Sequence, residues 1–266
     1  LQIRAMKALL KSGDTDKIIF FAGVSRQREI YIMAANYLQS LDWQNNSEIL
    51  RNIITFYSKG KALDLLANFY VACAQVEIDE FKNYEKAYGA LTEASRCLGK
   101  ISNPKDVGQH QRATEIVQQR LTMIKRFVDI RRLIERGDPQ AGDCVIIIKM
   151  CVGLSVSVLL GIAQCRQLLM TGGKELEASV RRGDVYAVMI QEFVKNQNYA
   201  EAKQLLGELK QILLISGNTP ITYYLSKELI EALAQGLGGP VSMLVPVKTK
   251  LDNEEDDEFV EEAIED

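Results

Sequence analysis

The chain has 266 residues, of which 47% are apolar; this is enough to build a core and excludes a wholly disordered protein. It contains one His, which excludes a histidine-rich metal site and most histidine-based catalysis. The net charge of −3 hides a division, because residues 252–266 carry ten acidic and no basic side chains, whereas residues 1–251 have a net charge of +7.

The body of the chain carries a series of helix signals, and no convincing run alternates between apolar and polar residues as a strand does. Apolar residues recur every three or four positions, and the first break falls at Gly13-Asp14, where glycine can end one helix and aspartate can cap the next. Asn103-Pro104 and Thr219-Pro220 each combine a capping residue with a proline suited to a first helical turn. We therefore predict helices over 2–12, 15–23, 26–41, 47–58, 61–79, 83–98, 106–136, 184–196, 199–214 and 220–235.

Two windows share a spaced pattern that is typical of tetratricopeptide hairpins. In each, an aromatic residue is followed by a small one three positions later and by further apolar residues at offsets 7 and 10. The small residue is needed where two helices cross closely, and the pattern predicts an all-α solenoid of helical hairpins rather than an ordinary helix bundle. The predicted repeat positions are Tyr84, Ala87, Leu91 and Ala94, then Tyr199, Ala202, Leu206 and Leu209, with Tyr186 and Phe193 on the preceding helix.

Motifs that carry chemistry are missing from the sequence. Gly172-Gly173-Lys174 lacks both the earlier glycine and the following Ser or Thr of a phosphate-binding loop. The five cysteines form no CxxC pair, which excludes a zinc ribbon, and their apolar surroundings favour reduced core thiols. We predict a protein that is not an enzyme and that has no cofactor and no metal site.

One helical segment is distinctly basic. Its candidate contact face consists of Arg120, Arg126, Arg131 and Arg132, which could touch phosphate groups or an anionic membrane. The one aromatic residue of the segment, Phe127, belongs to its apolar stripe and is not interleaved with the basic face, so we expect no nucleic acid as a partner. The alternative interpretation is a face that is solvated or turned toward another subunit.

Residues 144–163 form an almost wholly apolar stretch with Lys149 inside it. Its length would allow a membrane span, but a central lysine and the lack of an aromatic belt disfavour insertion. Two other interpretations stay open: a buried helix, or an atypical insertion with poor or local order. We expect no stable membrane span.

Three segments carry a family resemblance. Together with Tyr223-Tyr224 and the acidic end, they resemble the C-terminal tetratricopeptide region of the intraflagellar transport protein 140 family, over roughly 1–136 and 164–266. The segments are GDTDKIIFFAGVSRQREIYIMAANYLQSLDW (13–43), KALDLLANFYVACAQVEIDEFKNYEKAYGALTEASRCL (61–98) and RRGDVYAVMIQEFVKNQNYAEA (181–202).

The resemblance implies a scaffold without an active site. It implies other subunits of intraflagellar transport complex A as partners, and a role in retrograde ciliary transport and in the entry of membrane proteins into cilia. It further implies a place at the cilium and ciliary base, on the cytoplasmic side, with peripheral proximity to membrane. The alternative from another class is a coat-like module that binds anionic lipid through the basic face of 120–136.

Residues 142–163 depart from the family pattern and look inserted, as an in-frame gene-model error would produce. We therefore predict four regions in chain order. They are helical-hairpin repeats (1–136), a linker with the apolar insertion (137–180), C-terminal helical hairpins (181–238) and an acidic disordered tail (239–266).

Overall fold

The computed structural model describes residues 1–102, 104, 106–136, 156–215 and 219–245, and the elements in these ranges are helical. Two 3-10 turns, Ile221–Tyr223 and Val241–Met243, accompany the α-helices. The helices are α1 (Gln2–Ser12), α2 (Thr15–Ser25), α3 (Arg28–Gln39), α4 (Ser47–Lys59), α5 (Leu63–Asp79), α6 (Tyr84–Gly99), α7 (Val107–Arg136), α8 (Val156–Thr171), α9 (Gly173–Ser179), α10 (Arg182–Lys195), α11 (Tyr199–Ile215) and α12 (Lys227–Gly236). The prediction of an all-α, hairpin-based fold is confirmed.

Side-chain caps explain where several helices begin. Asp14 accepts a hydrogen bond from the Lys17 amide at 3.1 Å, and Gly13 ends α1 in the left-handed region with φ 71°. Asn46 and Asn83 cap α4 and α6 in the same way, because each side-chain oxygen accepts from an amide of the first turn. Of these caps, the break at Gly13-Asp14 is the one predicted from the sequence.

Several helix ends differ from prediction by one or two residues, and two departures have a visible local reason. Helix α2 continues to Ser25, because Arg26 rather than Gly23 adopts the left-handed conformation, at φ 50°. The predicted helix over 220–235 is divided: Pro220 is extended and is followed by a 3-10 turn, and α12 begins only after the Ser226 cap.

The chain divides into two compact units, Leu1–Val185 and Tyr186–Asp266. In the first unit, α3 packs on α4, α5 on α6, and α6 on α7. The ring of Phe69 lies 5.0 Å from that of Trp43, and Tyr84 meets Phe127 edge to face at 4.8 Å, measured between ring centroids. Such aromatic pairs add to the stabilisation from burial alone.

Helix α8 packs closely against α7. A Cβ atom at Gly161 would lie 2.3 Å from the Ile134 side chain, so only glycine allows this approach. Val158 and Ile162 are buried there, which places the 156–163 part of the predicted apolar stretch in a packed helix. The preceding part, 137–155, lies outside the described residues. Within those residues, no helix combines the length and the apolarity that a membrane crossing requires.

The second unit holds the predicted C-terminal hairpins. Tyr186 on α10 donates a hydrogen bond to Glu208 on α11, with 3.2 Å between the hydroxyl and Oε2. Helix α11 packs on α12, and the Tyr199 ring covers Gly236, where a Cβ atom would lie 2.3 Å from the ring. Of the predicted acidic tail, residues 246–266 lie outside the described part of the chain. The predicted four-region division stays a prediction.

Candidate functional site

A polar cluster with Tyr84 and Asp184 buried at its centre lies at the corner where α5 turns into α6. The Tyr84 hydroxyl donates a hydrogen bond to Asp184 Oδ2 at 2.6 Å, and it accepts one from the Arg181 backbone amide at 3.1 Å. Tyr84 is the first residue of α6, and Asp184 lies in the first turn of α10. One phenol thus fixes a segment that is 100 residues away along the chain.

Charged side chains extend this cluster. Asp79 accepts from the Arg181 guanidinium and from Gln75 Nε2, the latter at 2.8 Å. Lys82, held at φ 50° in the α5–α6 turn, lies 3.8 Å from Asp184 Oδ1. We call this cluster the polar hub; it consists of Asp79, Lys82, Tyr84, Arg181 and Asp184.

Burial sets the protonation of the polar hub. It raises the pKa of the Tyr84 hydroxyl, and the neighbouring Asp184 carboxylate acts in the same direction. Burial also raises the pKa of the Asp184 carboxyl, although the Tyr84 hydrogen bond, Lys82 and Arg181 oppose this. Because its pKa is raised, the Tyr84 hydroxyl keeps its proton and donates to Asp184, which is only 6% exposed. The hub therefore holds the α5–α6 corner and the start of α10 together and has a structural role.

Beside the hub, the first unit carries an open groove of about 310 Å³ between α4, α5 and α6. We call it the aromatic groove. Phe81 in the α5–α6 turn is 59% exposed, which is unusual for a large aromatic residue. The apolar lining of the groove consists of Trp43, Leu50, Ile54, Tyr70, Val76 and Phe81.

The polar lining of the groove is sparse. Glu77 and Glu93 contribute carboxylates and Lys86 contributes an ammonium group. Lys86 Nζ lies 3.9 Å from Glu77 Oε1, whereas Glu93 accepts two hydrogen bonds from Arg96 at 2.7 and 3.0 Å. Burial raises the pKa of the Cys73 thiol to about 12, so this groove cysteine is a neutral thiol and not a nucleophile at physiological pH.

The predicted repeat residues fall on the expected helices, and most of them are buried. On α6 these are Tyr84, Ala87, Leu91 and Ala94; on α10, Tyr186 and Phe193; and on α11, Ala202, Leu206 and Leu209. Tyr199 is partly exposed. Their equivalence as two copies of one repeat stays a prediction.

The predicted basic contact face is partly engaged within the chain. Arg120 Nη2 donates to Gln75 Oε1 at 2.8 Å, and Arg132 Nη2 lies 3.1 Å from Glu85 Oε1 on α6. Arg131 is 3.7 Å from Glu135 on its own helix, and Arg126 is partly buried. The role of this face as a contact surface stays a prediction.

Neither the polar hub nor the aromatic groove was identified from the sequence. Tyr84 and Asp184 are 100 residues apart, too far for a helical spacing pattern to connect them. The residues that line the groove come from separate elements. Among the described residues, no group of three or more His, Cys, Asp or Glu side chains is arranged to hold a metal ion.

The chain matches two family models. The one described as the C-terminal TPR domain of intraflagellar transport protein 140 matches residues 64–210, more than half of the chain. The one described as the TPR domain of intraflagellar transport proteins 140 and 172 matches residues 1–56. The polar hub lies within the first match, and the groove draws its lining from both.

Proposed function

The chain belongs to the family of the C-terminal TPR domain of intraflagellar transport protein 140, and on this premise we propose that it is a non-enzymatic scaffold segment of intraflagellar transport complex A. Its helical hairpins bind other subunits of that complex, in retrograde ciliary transport and in the entry of membrane proteins into the cilium. It acts at the cilium and ciliary base, on the cytoplasmic side. A TPR-type helical fold is typical of non-catalytic scaffolds.

The aromatic groove is the observation that supports this proposal best. Aromatic side chains dominate the binding energy of protein interfaces when they are buried by a partner. Trp43, Tyr70 and Phe81 present three such rings in one depression, next to a hub that fixes the α5–α6 corner. A rigid corner with one exposed ring, Phe81, and two partly buried rings is suited to shape-complementary docking, since little conformational entropy is lost on binding.

Co-purification from ciliated cells tests the proposal. The chain is tagged, expressed, and its co-purifying proteins are quantified by mass spectrometry. We expect enrichment of complex A subunits, and we expect Phe81→Ser to reduce it strongly.

Phe20→Ser is the matched control, because Phe20 is likewise an exposed phenylalanine, at 72%, but lies on α2 outside the groove. It should leave the enrichment unchanged. A soluble, folded bait that enriches no complex A subunit contradicts the proposed function.

The membrane-recruitment alternative stays a prediction of the sequence. No separate observation favours it, because Arg120 and Arg132 are directed to Gln75 and Glu85 within the chain.

A further inference from the structure

One face of α5 forms the floor of the aromatic groove. Tyr70, Cys73 and Glu77 follow at spacings of three and four residues, which places them in line on one side of the helix. Trp43 reaches the same groove from the segment before α4, and Phe81 from the turn after α5. The groove therefore combines three aromatic rings with one carboxylate on its floor.

The Glu77 carboxylate is poorly paired for its position. Its side chain is 22% exposed, and its Oε2 atom is shielded from solvent with no hydrogen-bond partner in the described part of the chain. Lys86 approaches only Oε1, at 3.9 Å, and its own side chain is 69% exposed. The contrast is Glu93, whose two oxygens both accept from Arg96.

This combination favours a guanidinium group as the occupant. A guanidinium is planar, stacks on aromatic rings, and presents several forked donors to a carboxylate. The oxygen that such a group can reach is Oε1, because Oε2 is shielded from solvent. When a bound segment displaces water from the groove, Oε1 keeps only the distant Lys86 ammonium group, so a charged donor is favourable there. Lys86 carries its charge at the end of a flexible side chain, 3.9 Å from Glu77 Oε1, so it donates no hydrogen bond to the carboxylate.

We propose that the aromatic groove binds an arginine side chain of a partner protein, next to an apolar residue that fills the rest of the depression. The inference rests on the proposed docking role of the groove and adds the chemistry that the groove recognises. The arginine stacks among Trp43, Tyr70 and Phe81 and donates to Glu77 Oε1, the carboxylate oxygen that is not shielded from solvent. The apolar neighbour contacts Leu50 and Ile54 on α4.

A pair of peptides tests this recognition on the unmodified chain. The probes are acetyl-Leu-Arg-Leu-amide and acetyl-Leu-citrulline-Leu-amide, since citrulline keeps the shape of arginine without its charge. Trp43 is the only tryptophan, so its fluorescence reports the groove directly. We expect a saturable change with the arginine peptide, and binding of the citrulline peptide that is about tenfold weaker or more, as expected for loss of one charge-assisted contact.

Variants then locate the contact. Glu77→Gln should abolish the preference for arginine over citrulline, and Phe81→Ser should weaken both peptides. Glu135→Gln is the control. Glu135 is an exposed carboxylate on α7, outside the groove, and its ion pair with Arg131, at 3.7 Å, is about as long as that of Glu77 with Lys86. Circular dichroism shows whether each variant is folded, and the comparison of peptides on the unmodified chain needs no variant.

Three outcomes overturn the inference. They are equal affinity for the two peptides, no saturable change of Trp43 fluorescence, and an arginine preference that survives in a folded Glu77→Gln variant. None of them affects the co-purification result, which depends on docking and not on the recognised side chain. Loss of co-purification with intact peptide discrimination would instead reject the proposed function alone.

Discussion

Helix α5 carries two neighbouring acidic residues with opposite surroundings. Asp79 accepts hydrogen bonds from Gln75 and Arg181 and belongs to the polar hub. Glu77, two residues earlier and therefore on a different side of the helix, lines the aromatic groove with one oxygen unpartnered. The difference teaches that hydrogen-bonded polar groups fix the corner, whereas a carboxylate whose accessible oxygen has only a distant lysine as partner is available for docking.

Among these variants, truncation of Tyr84 in the hub should lower the free energy of unfolding most. Tyr84→Ala removes a fully buried ring that packs on Phe127 and leaves Asp184 without its hydroxyl donor. We expect the free energy of unfolding to fall by about 3–5 kcal/mol, as for other large-to-small core changes. Urea denaturation followed by circular dichroism measures it. Phe81→Ala in the groove is the control and should change the free energy by less than about 1 kcal/mol.

Removal of the hydroxyl alone gives an effect of intermediate size that depends on pH. Tyr84→Phe should lower the free energy of unfolding by about 1–3 kcal/mol at neutral pH, because Asp184 stays buried without that donor.

The sign of the pH dependence follows from the raised pKa of Tyr84. The hydroxyl stays protonated in the folded chain, while the unfolded chain loses this proton above pH ~10. The stabilisation is therefore complete below that pH and is lost above it, by about 1.4 kcal/mol per pH unit. Urea denaturation of the unmodified chain and of Tyr84→Phe between pH 9 and 11 should show that the difference between their free energies of unfolding becomes smaller. A difference that stays constant contradicts this account of the hub.

The smallest effect on stability should come from the groove carboxylate. Glu77→Gln keeps the shape of the side chain and removes a charge whose ion pair with the exposed Lys86 is long, so we expect a change within about 0.5 kcal/mol. Thermal melting of the variant beside the unmodified chain checks it. A large loss would mean that Glu77 supports the fold as the hub does, and the contrast between the two sides of α5 would disappear.

The sequence predicted the elements whose causes are local. Gly13-Asp14 acts within one helical turn, so the sequence predicted the boundary between α1 and α2. The same kind of reasoning mistook Pro220 for a helix start, because the choice between a 3-10 turn and an α-helix depended on the Ser226 cap downstream.

The site escaped prediction because its parts meet only after packing. Tyr84 was recognised as a buried repeat position, but its partner Asp184 carries no signal that points back across the chain. Arg120 was assigned to a basic outer face, and only the packing of α7 shows its guanidinium reaching Gln75 on α5. Likewise, the lining from Trp43 to Glu93 comes from five separate segments and follows no single periodicity.

The long separation of Tyr84 and Asp184 also sets an order of events during synthesis. Chains emerge and fold from the amino-terminal side, so α5 and α6 can pair long before residue 184 leaves the ribosome. Until then the Tyr84 hydroxyl lacks both Asp184 and the Arg181 amide. Closing a loop of this length adds an entropic barrier that the local hairpin does not face. We therefore expect the hub to form late in folding, and a ribosome-bound chain that ends before Arg181 should display the α5–α6 corner in an open, protease-sensitive form.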